Sequence, residues 1–407
     1  MYGNVPYSEA FKRINNGTLK YNDDQFIYRE LFKEIDDARA LINLASPDAL
    51  SIAQYDVMLA GDMNRWLEFA NTVELRMLLR MSNSTGAVAT YRDARIAALA
   101  ASSPSFVTSD VTINPGYSTA TDAQMNPLNN VYTFTVAGAA QQNWTFVAMS
   151  GHAFKFLRNN VASNNTPILD ANSPGTTNYP GVADPRATRL FRGATKAVTQ
   201  GSQTVDVPIA GGTPGRIGYG LTNPYLAGSE AIIVAQDIVN LGTANGFVMT
   251  ASEAHYLQAE AAVRYPSLGL NALSNFTAGI DKSCARLGVT TAAATTYKTA
   301  IATKAGLGWP ASTTDDLKYK AILTQKWIAL MGIHGIESFI EYNRTGYPAT
   351  PLATTATQTR KPRRLIYPVS EYVANSGNVP NISPAQIFST TDASHPFWLQ
   401  GDPALGN

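Results

Sequence analysis

The sequence predicts a mainly α fold, an irregular right-handed stack of helix pairs, on three observations. Apolar residues recur at steps of three and four in two regions, about 1–100 and 247–348. Between them, about 101–246 is rich in Ser, Thr, Asn, Pro and Gly and shows few long periods. The tail, 349–407, is predicted to be mostly coil. We therefore expect one domain over 1–407, made of a helical scaffold, a loop-rich excursion at about 101–246 and a coil-rich C-terminal tail.

Two helices are predicted near the N-terminus. Asp23 and Asp24 precede a helical stretch that ends at Leu44, and acidic residues favour a helix N-terminus. A second, strongly amphipathic helix opens at Gly61 and Asp62. The buried face of the first helix is predicted to carry Phe26, Ile27, Leu31, Ile35 and Ala38. The buried face of the second is predicted to carry Trp66, Phe69, Ala70, Val73, Met77 and Met81. On the flank of the second helix, the spacing of Arg76 and Arg80 predicts a solvated or ion-paired surface.

Helices return at Val248. Thr250 and Glu253 have the spacing of a capping box, in which the hydroxyl binds the N3 amide and the carboxylate reaches back to the cap. The small residues that follow predict a close-packing face, which carries Ala254, Leu257 and Ala261.

Residues 315–348 predict two helices joined by a tight turn. Gly332 and Gly335 interrupt the apolar period, and Gly346 and Pro348 end the second helix. The first helix is predicted to bury Tyr319, Ile322, Leu323, Trp327, Leu330 and Ile333, opposite an exposed face with Lys318, Lys320 and Gln325.

Composition limits the classes of ligand. Only 15% of the 407 residues are charged, below the roughly 25% of typical soluble domains. The formal net charge is +1, so no strong field attracts nucleic acid or an anionic membrane surface. The basic cluster at 360–364 is short and interrupted by proline. We expect no nucleic-acid partner, and an uncharged ligand.

No metal site or cofactor is predicted. Cys284 is the only cysteine, which excludes an intrachain disulfide and the cysteine zinc sites and predicts a small buried hydrophobe. The four histidines form no metal-binding spacing. Asp170 to Gly175 begins like a calcium loop, but Pro174 takes a ligand position and Gly181 stands where the bidentate glutamate is needed. A calcium ion therefore remains possible without support from a motif.

Four stretches, in order, resemble the motifs of one protein family. They are GDMNRWLEFANTVELRMLLRMS at 61–82, MTASEAHYLQAEAAVRY with FTAGIDKSCARLG at 249–288, TQKWIAL with RTGYP within 322–348, and the Pro-Arg-Arg, Tyr-Pro tail at 361–379. Together they resemble the SusD/RagB family, the outer-membrane nutrient-binding lipoproteins that partner TonB-dependent transporters. DPRATRLF, at 184–191, is similar to the family's Asp-Pro-Arg segment.

The resemblance implies a fold and a function. It implies an irregular tetratricopeptide-like superhelix, extracellular binding of a nutrient, most often an oligosaccharide or polysaccharide, and delivery to a SusC-like TonB-dependent transporter without chemistry. It also implies a surface-exposed lipoprotein of the outer membrane. Met1 is followed at once by Tyr-Gly-Asn-Val-Pro, so this chain is expected to lack the family's signal sequence, lipidated cysteine and opening helices, and to reach the membrane only through an anchor outside it.

Aromatic side chains in polar loops are the candidate ligand-binding residues. Neutral glycans place their CH faces on flat rings, while polar side chains take the hydroxyl groups. Trp309, Tyr225, Tyr219 and Tyr179 fit, since Gly or Pro flanks each one. Trp309 is the first choice, although a loop aromatic can equally well seal the edge of a core, and packing is the favoured interpretation for the three tyrosines. Trp66 and Trp327 are predicted to be core residues.

Two rival functions come from other classes. A helical-repeat scaffold would bind peptide or protein segments in a groove lined by helix side chains. A helical glycoside hydrolase would need two carboxylates about 5–10 Å apart across a cleft. Nothing in the sequence nominates such a pair, a GxSxG motif or a P-loop, so no catalytic residue is predicted and the chain is not expected to be an enzyme.

Overall fold

The structure is a computed structural model, and the mainly α prediction is confirmed. It describes residues 1–12, 18–44, 49–132, 135–137, 139, 153, 156–157, 181–190, 195–200, 203–208, 242–350 and 357–399. The helices before the second half of the excursion are α1 (Asp24–Asn43), α2 (Met63–Arg80), α3 (Gly86–Ala101) and α4 (Pro127–Tyr132). The later helices are α5 (Ala187–Leu190), α6 (Ala251–Arg264), α7 (Ala272–Arg286), α8 (Thr291–Ile301), α9 (Asp315–Leu330), α10 (Gly335–Thr345), α11 (Val369–Ala374) and α12 (Pro384–Phe388).

Short strands form three antiparallel pairs among the described residues. They are β1 (Val5–Pro6) with β2 (Tyr21–Asn22), β3 (Val111–Ile113) with β6 (Gly246–Met249), and β4 (Thr195–Gln200) with β5 (Gln203–Pro208). The β3–β6 pair joins the two ends of the excursion, with Val111 opposite Met249 and Ile113 opposite Gly246. The excursion therefore leaves the scaffold and returns to it at one place. The division of the chain into scaffold, excursion and tail stays a prediction.

The first two helices begin where the sequence predicts. Asp23 and Asp62 are the N-caps of α1 and α2, and each carboxylate accepts hydrogen bonds from two amides of the first turn. The buried face of α1 differs from the prediction, because Phe26 is 43% exposed while Phe32 is fully buried. Phe32 packs edge-on against Tyr91 of α3, which a local apolar count does not register.

Helix α6 lies at the centre of the scaffold and packs against α2, α7 and α9. Its predicted packing face is confirmed, since Ala254, Leu257 and Ala261 are fully buried. Helix α7 approaches closely at Gly279, where a methyl group would lie 2.5 Å from Cε1 of Tyr256. A glycine at this point is what allows the two helices to make contact.

The capping box of α6 is only half correct. Thr250 Oγ1 accepts a hydrogen bond from the Glu253 amide at 3.1 Å, as predicted. The Glu253 carboxylate does not return to the cap. It faces Arg76 Nη1 at 3.3 Å and His334 Nδ1 at 3.5 Å, because a guanidinium and an imidazole from distant elements outcompete a local amide.

The two-helix unit at the C-terminal end of the scaffold is confirmed as α9, a turn and α10. Gly332 and Gly346 have φ values of 77° and 79°, in the left-handed region that favours glycine. The predicted exposure of Gln325 is wrong. Gln325 and its neighbour Lys326 are buried, because α9 packs against other elements on more than one face.

The C-terminal tail is tied into the scaffold by buried arginines. Arg364 is 1% exposed, and its guanidinium donates to the carbonyl oxygens of Tyr2, Ser394 and Leu365. Arg363 is buried as well. Within the basic cluster at 360–364, Arg363 and Arg364 therefore act as packing groups, and the expectation of no nucleic-acid partner stays a prediction.

Three single residues follow their sequence interpretation. Trp66 and Trp327 pack against core clusters, and Trp66 Nε1 donates to Asp56 Oδ2 at 2.8 Å. Cys284 is buried among apolar side chains, and that burial raises the pKa of its thiol. Between 140 and 180, the structure describes only Ala153, Phe156 and Leu157, which are helical and pack in one cluster.

Candidate functional site

The loop that carries Trp309 connects α8 to α9 and is held by its own hydrogen bonds. The amides of Leu307 and Gly308 donate to the Lys304 carbonyl at 3.1 and 2.9 Å. Ser312 Oγ donates to the Gly308 carbonyl at 2.7 Å and accepts from the Gly306 amide at 3.0 Å. A methyl group at Gly308 would lie 2.0 Å from the Ile301 carbonyl oxygen, so only glycine fits. The loop is therefore a compact, preorganised support.

The Trp309 ring is half-buried at the edge of the core. Its centroid lies 5.6 Å from that of Phe276, with an angle of 44° between the planes. Lys318 Nζ lies 5.9 Å from the Trp309 centroid. The ring thus packs on the core and also contributes to the surface, beside an ammonium group that can donate to a hydroxyl oxygen.

A buried polar cluster fixes this loop to residues 184–186 of the excursion. Gln325 Nε2 donates to the Leu307 carbonyl at 3.4 Å and to Tyr297 Oη at 2.9 Å. Gln325 Oε1 accepts from Arg186 Nη2 at 2.7 Å, and Arg186 pairs with Asp184 at 2.6 Å. Burial alone would lower the pKa of Arg186, but the Asp184 charge raises it well above its ordinary value. Arg186 therefore remains a cation inside the core.

This cluster explains the DPRATRLF segment. Asp184 and Arg186 come from the Asp-Pro-Arg sequence itself, while Gln325 comes from α9 and Tyr297 from α8. Sequence reasoning found the segment through the family resemblance but missed its partners. The available signal in the sequence was an Asp and an Arg two residues apart, which stand out in a chain with few charged residues.

Residues 181 and 182 of the excursion border the Trp309 loop. A methyl group at Gly181 would lie 3.5 Å from Lys304 Nζ, and Val182 packs against the apolar cluster that also receives Trp309. Trp309 therefore lies on the side of the scaffold from which residues 181–190 approach. It lines neither of two clefts in the described part of the chain, of about 520 and 530 Å³.

The other sequence-predicted positions lie outside the described residues. These are Tyr179, Tyr219 and Tyr225, the calcium-like segment 170–175 and His152, all of which stay predictions. In the described ranges, no group of three or more His, Cys, Asp or Glu side chains could hold a metal ion.

A second buried ionic cluster lies between α6, α9 and α10. Arg344 Nη1 and Nη2 donate to the two carboxylate oxygens of Glu260 at 2.7 and 2.8 Å, and Arg344 also binds Glu341. Lys326 Nζ donates to Glu341 at 3.1 Å. Burial alone would raise the pKa values of the Glu260 and Glu341 carboxyl groups, but the charge of Arg344 lowers both pKa values. Glu260 and Glu341 are thus enclosed and paired, which is a structural arrangement.

The described residues form a helical scaffold of the tetratricopeptide-like class with an aromatic loop at its edge. The chain belongs to the SusD/RagB family. The family described as "Susd and RagB outer membrane lipoprotein" matches residues 177–399. A related SusD-like family, described as "Starch-binding associating with outer membrane", matches residues 1–171.

Solved structures show the same fold. A chitin-binding SusD homolog from Flavobacterium johnsoniae is 20% identical, with a TM-score of 0.67 over 99% of this chain and 77% of its own. A SusD homolog from Bacteroides ovatus is 21% identical, with a TM-score of 0.65 over 98% and 78%. One from Bacteroides thetaiotaomicron is 20% identical, with a TM-score of 0.64 over 99% and 78%. The chain is similar to none of the curated proteins with which it was compared.

In the described ranges, no helix combines the length and the apolar character that crossing a membrane requires.

Proposed function

We propose that this chain binds a glycan outside the cell, a neutral oligosaccharide or polysaccharide, and passes it unchanged to a SusC-like TonB-dependent transporter. The observation that carries the proposal is the half-buried Trp309 ring on a rigid loop of a SusD/RagB scaffold. Two matched descriptions support the ligand class: the starch-binding family over 1–171 and the chitin-binding relative from Flavobacterium.

The physical basis is stacking on a preformed surface. A sugar presents CH groups on one face, and these lose water favourably against an indole ring. The hydrogen bonds within the loop fix the ring before the ligand arrives, so little side-chain entropy is lost on binding. The near-zero net charge of the chain favours a neutral ligand over an acidic one.

The proposed place of action is the outer surface of the outer membrane. The family description supports this, because it names outer membrane lipoproteins. Attachment would be through a lipid, with a TonB-dependent transporter as the partner. Isolation of the outer membrane with a tagged protein tests this, and recovery without any TonB-dependent transporter would contradict the partner.

Affinity electrophoresis tests the binding site. The purified protein is run through gels that contain starch, soluble chitin derivatives, xylan or an acidic polysaccharide. We expect retardation by one neutral glycan, weakened strongly in Trp309→Ala and unchanged in Tyr55→Ala. Tyr55 is the matched control because it is an exposed aromatic, 76% accessible, in the loop between α1 and α2.

Other results would change the position of the site or the class of function. Retardation that is as strong in Trp309→Ala as in the unmodified chain would place the main site elsewhere. No retardation by any glycan, with capture of peptides from a peptide library, would favour the helical-repeat scaffold. Release of reducing sugar would show a hydrolase.

A further inference from the structure

A second cleft, lined by described residues, opens in the helical scaffold between α1, α2 and α3. Its volume is about 530 Å³, within the usual range of small-ligand sites, and Trp309 does not contribute to it. Helix α2 forms the floor. Carboxylates, guanidinium groups, amides and hydroxyls make up most of the lining, which includes no aromatic ring.

The charged part of the floor is fixed. Glu74 is 2% exposed and lies between two arginines. Arg95 Nε donates to Glu74 Oε1 at 3.0 Å, and Arg39 Nη1 lies 2.5 Å from Glu74 Oε2. Arg95 also donates to both oxygens of Asp36, at 2.5 and 3.0 Å, which joins α1 to α3. Because each guanidinium is shared by two carboxylates, neither Arg39 nor Arg95 is free to bind an acidic ligand.

Asn71 is fixed in the same way. Its Oδ1 accepts from Arg39 Nε at 3.1 Å and from Arg39 Nη2 at 2.7 Å. Its Nδ2 donates to the Ser105 carbonyl at 2.9 Å. The amide plane is therefore set before any ligand enters, and a ligand would meet a polar surface that needs little rearrangement.

Two side chains that α2 contributes to the lining have unused hydrogen-bonding capacity. Asn64 and Glu68 lie one turn apart on α2, on the same face as Asn71. Within the part of the chain that the structure describes, neither side chain takes part in a hydrogen bond or an ion pair. The three carboxylates and two guanidinium groups of the lining leave one negative charge, which belongs to Glu68.

We propose that this cleft is a second glycan site, which takes one neutral sugar residue edge-on through adjacent hydroxyl groups. The Glu68 carboxylate accepts two O–H bonds from a vicinal diol, and charge-assisted bonds of this kind are strong. The Asn64 amide offers a donor and an acceptor to a neighbouring hydroxyl. The surplus negative charge disfavours uronic acids and sulfated sugars. Only the ligand class rests on the proposed function, since the residues are separate from the Trp309 loop.

Isothermal titration calorimetry tests the second site with soluble maltoheptaose, chitotetraose and xylotetraose. Trp309→Ala removes the loop site and isolates the cleft. We expect this variant to retain binding of at least one oligosaccharide, and Trp309→Ala with Glu68→Gln to weaken that binding about tenfold or more, because a neutral amide replaces the carboxylate. The matched control adds Glu30→Gln to Trp309→Ala, since Glu30 lies on α1 outside the cleft.

The two proposals fail in different ways. If Glu68→Gln leaves the binding of the Trp309→Ala variant unchanged, the cleft is not a glycan site. If Trp309→Ala alone abolishes binding, the loop site stands and the cleft proposal falls. If the unmodified chain binds none of the three probes, both fall. Circular dichroism of each variant confirms that the helices remain folded.

Discussion

Arg344 and Glu260 form a bidentate ion pair in the core, with Nη1–Oε1 and Nη2–Oε2 distances of 2.7 and 2.8 Å. Arg344 lies in the last turn of α10 and Glu260 lies on α6, so the pair connects two residues that are 84 positions apart in sequence. The arginine of the Arg-Thr-Gly-Tyr-Pro family motif therefore has a packing role, because it neutralises Glu260 of the central helix and Glu341 of its own helix.

Removal of Arg344 is expected to destabilise the fold strongly. Arg344→Met would leave Glu260 and Glu341 buried without their shared cation. The free energy of unfolding should fall by about 3–5 kcal/mol. Urea unfolding followed by circular dichroism measures it. Lys33→Ala, which removes an exposed pair with Asp37, is the control and should leave the unfolding midpoint unchanged. A similar midpoint for both variants would contradict a structural role for Arg344.

Gly279 is expected to tolerate no side chain. Gly279→Val would place carbon atoms against the buried ring of Tyr256 and push α7 from α6, at a cost of about 1–3 kcal/mol. Thermal unfolding measures the effect. Gly335→Ala provides the comparison, because nothing lies within 4 Å of the added methyl group. Equal melting temperatures for the two variants would show that the helices do not meet as described.

Stability should depend on pH through His334. Burial tends to lower the pKa of His334, but Glu253 and the Phe247 carbonyl, which accepts from its Nε2 at 3.1 Å, raise it above 6.5. A raised folded pKa means that the stabilisation is complete below the unfolded pKa and is lost as pH rises through the folded pKa. We therefore expect the unfolding midpoint to fall from pH 6 to pH 8.

The variant His334→Gln isolates this effect. The amide cannot be protonated, so the fall in midpoint between pH 6 and pH 8 should become much smaller. The loss of stability at acid pH has another origin. Burial opposes ionisation of Glu253, yet His334, Lys326 and Arg76 lower its pKa to about 2, so its contribution is lost only as pH falls towards that value. An unchanged slope above pH 6 in the variant would assign the dependence to another group.

Gly308 should be required for the shape of the Trp309 loop. Gly308→Ala would force the loop away from the Ile301 carbonyl and move the indole ring. We expect a lower melting temperature and a glycan affinity reduced at least tenfold, as in Trp309→Ala. Affinity electrophoresis measures binding. Gly377→Ala is the control, because nothing lies within 4 Å of its added methyl group. Normal glycan binding by Gly308→Ala would contradict a preorganised site at Trp309.

The sequence by itself determined where three helices begin, and which family the motifs indicate. Asp23, Asp62 and Thr250 cap helices at the predicted places, since a cap is a local hydrogen bond between neighbours in sequence. Apolar periodicity likewise located α1, α2, α6, α9 and α10, whereas α3 and α8 were not predicted. The order of the motifs predicted a family that the matched descriptions confirm.

Only the tertiary structure decided which polar groups are inside. Gln325 was predicted on an exposed face, and Glu253 in a local cap, yet both are buried in clusters with residues from distant elements. The cleft with Glu74 in its floor is likewise lined by side chains from three helices that are separate in sequence. A periodic pattern records the polarity of each residue along one helix. It contains no information about the partner that makes burial of a charge tolerable, because that partner is set by how distant elements pack.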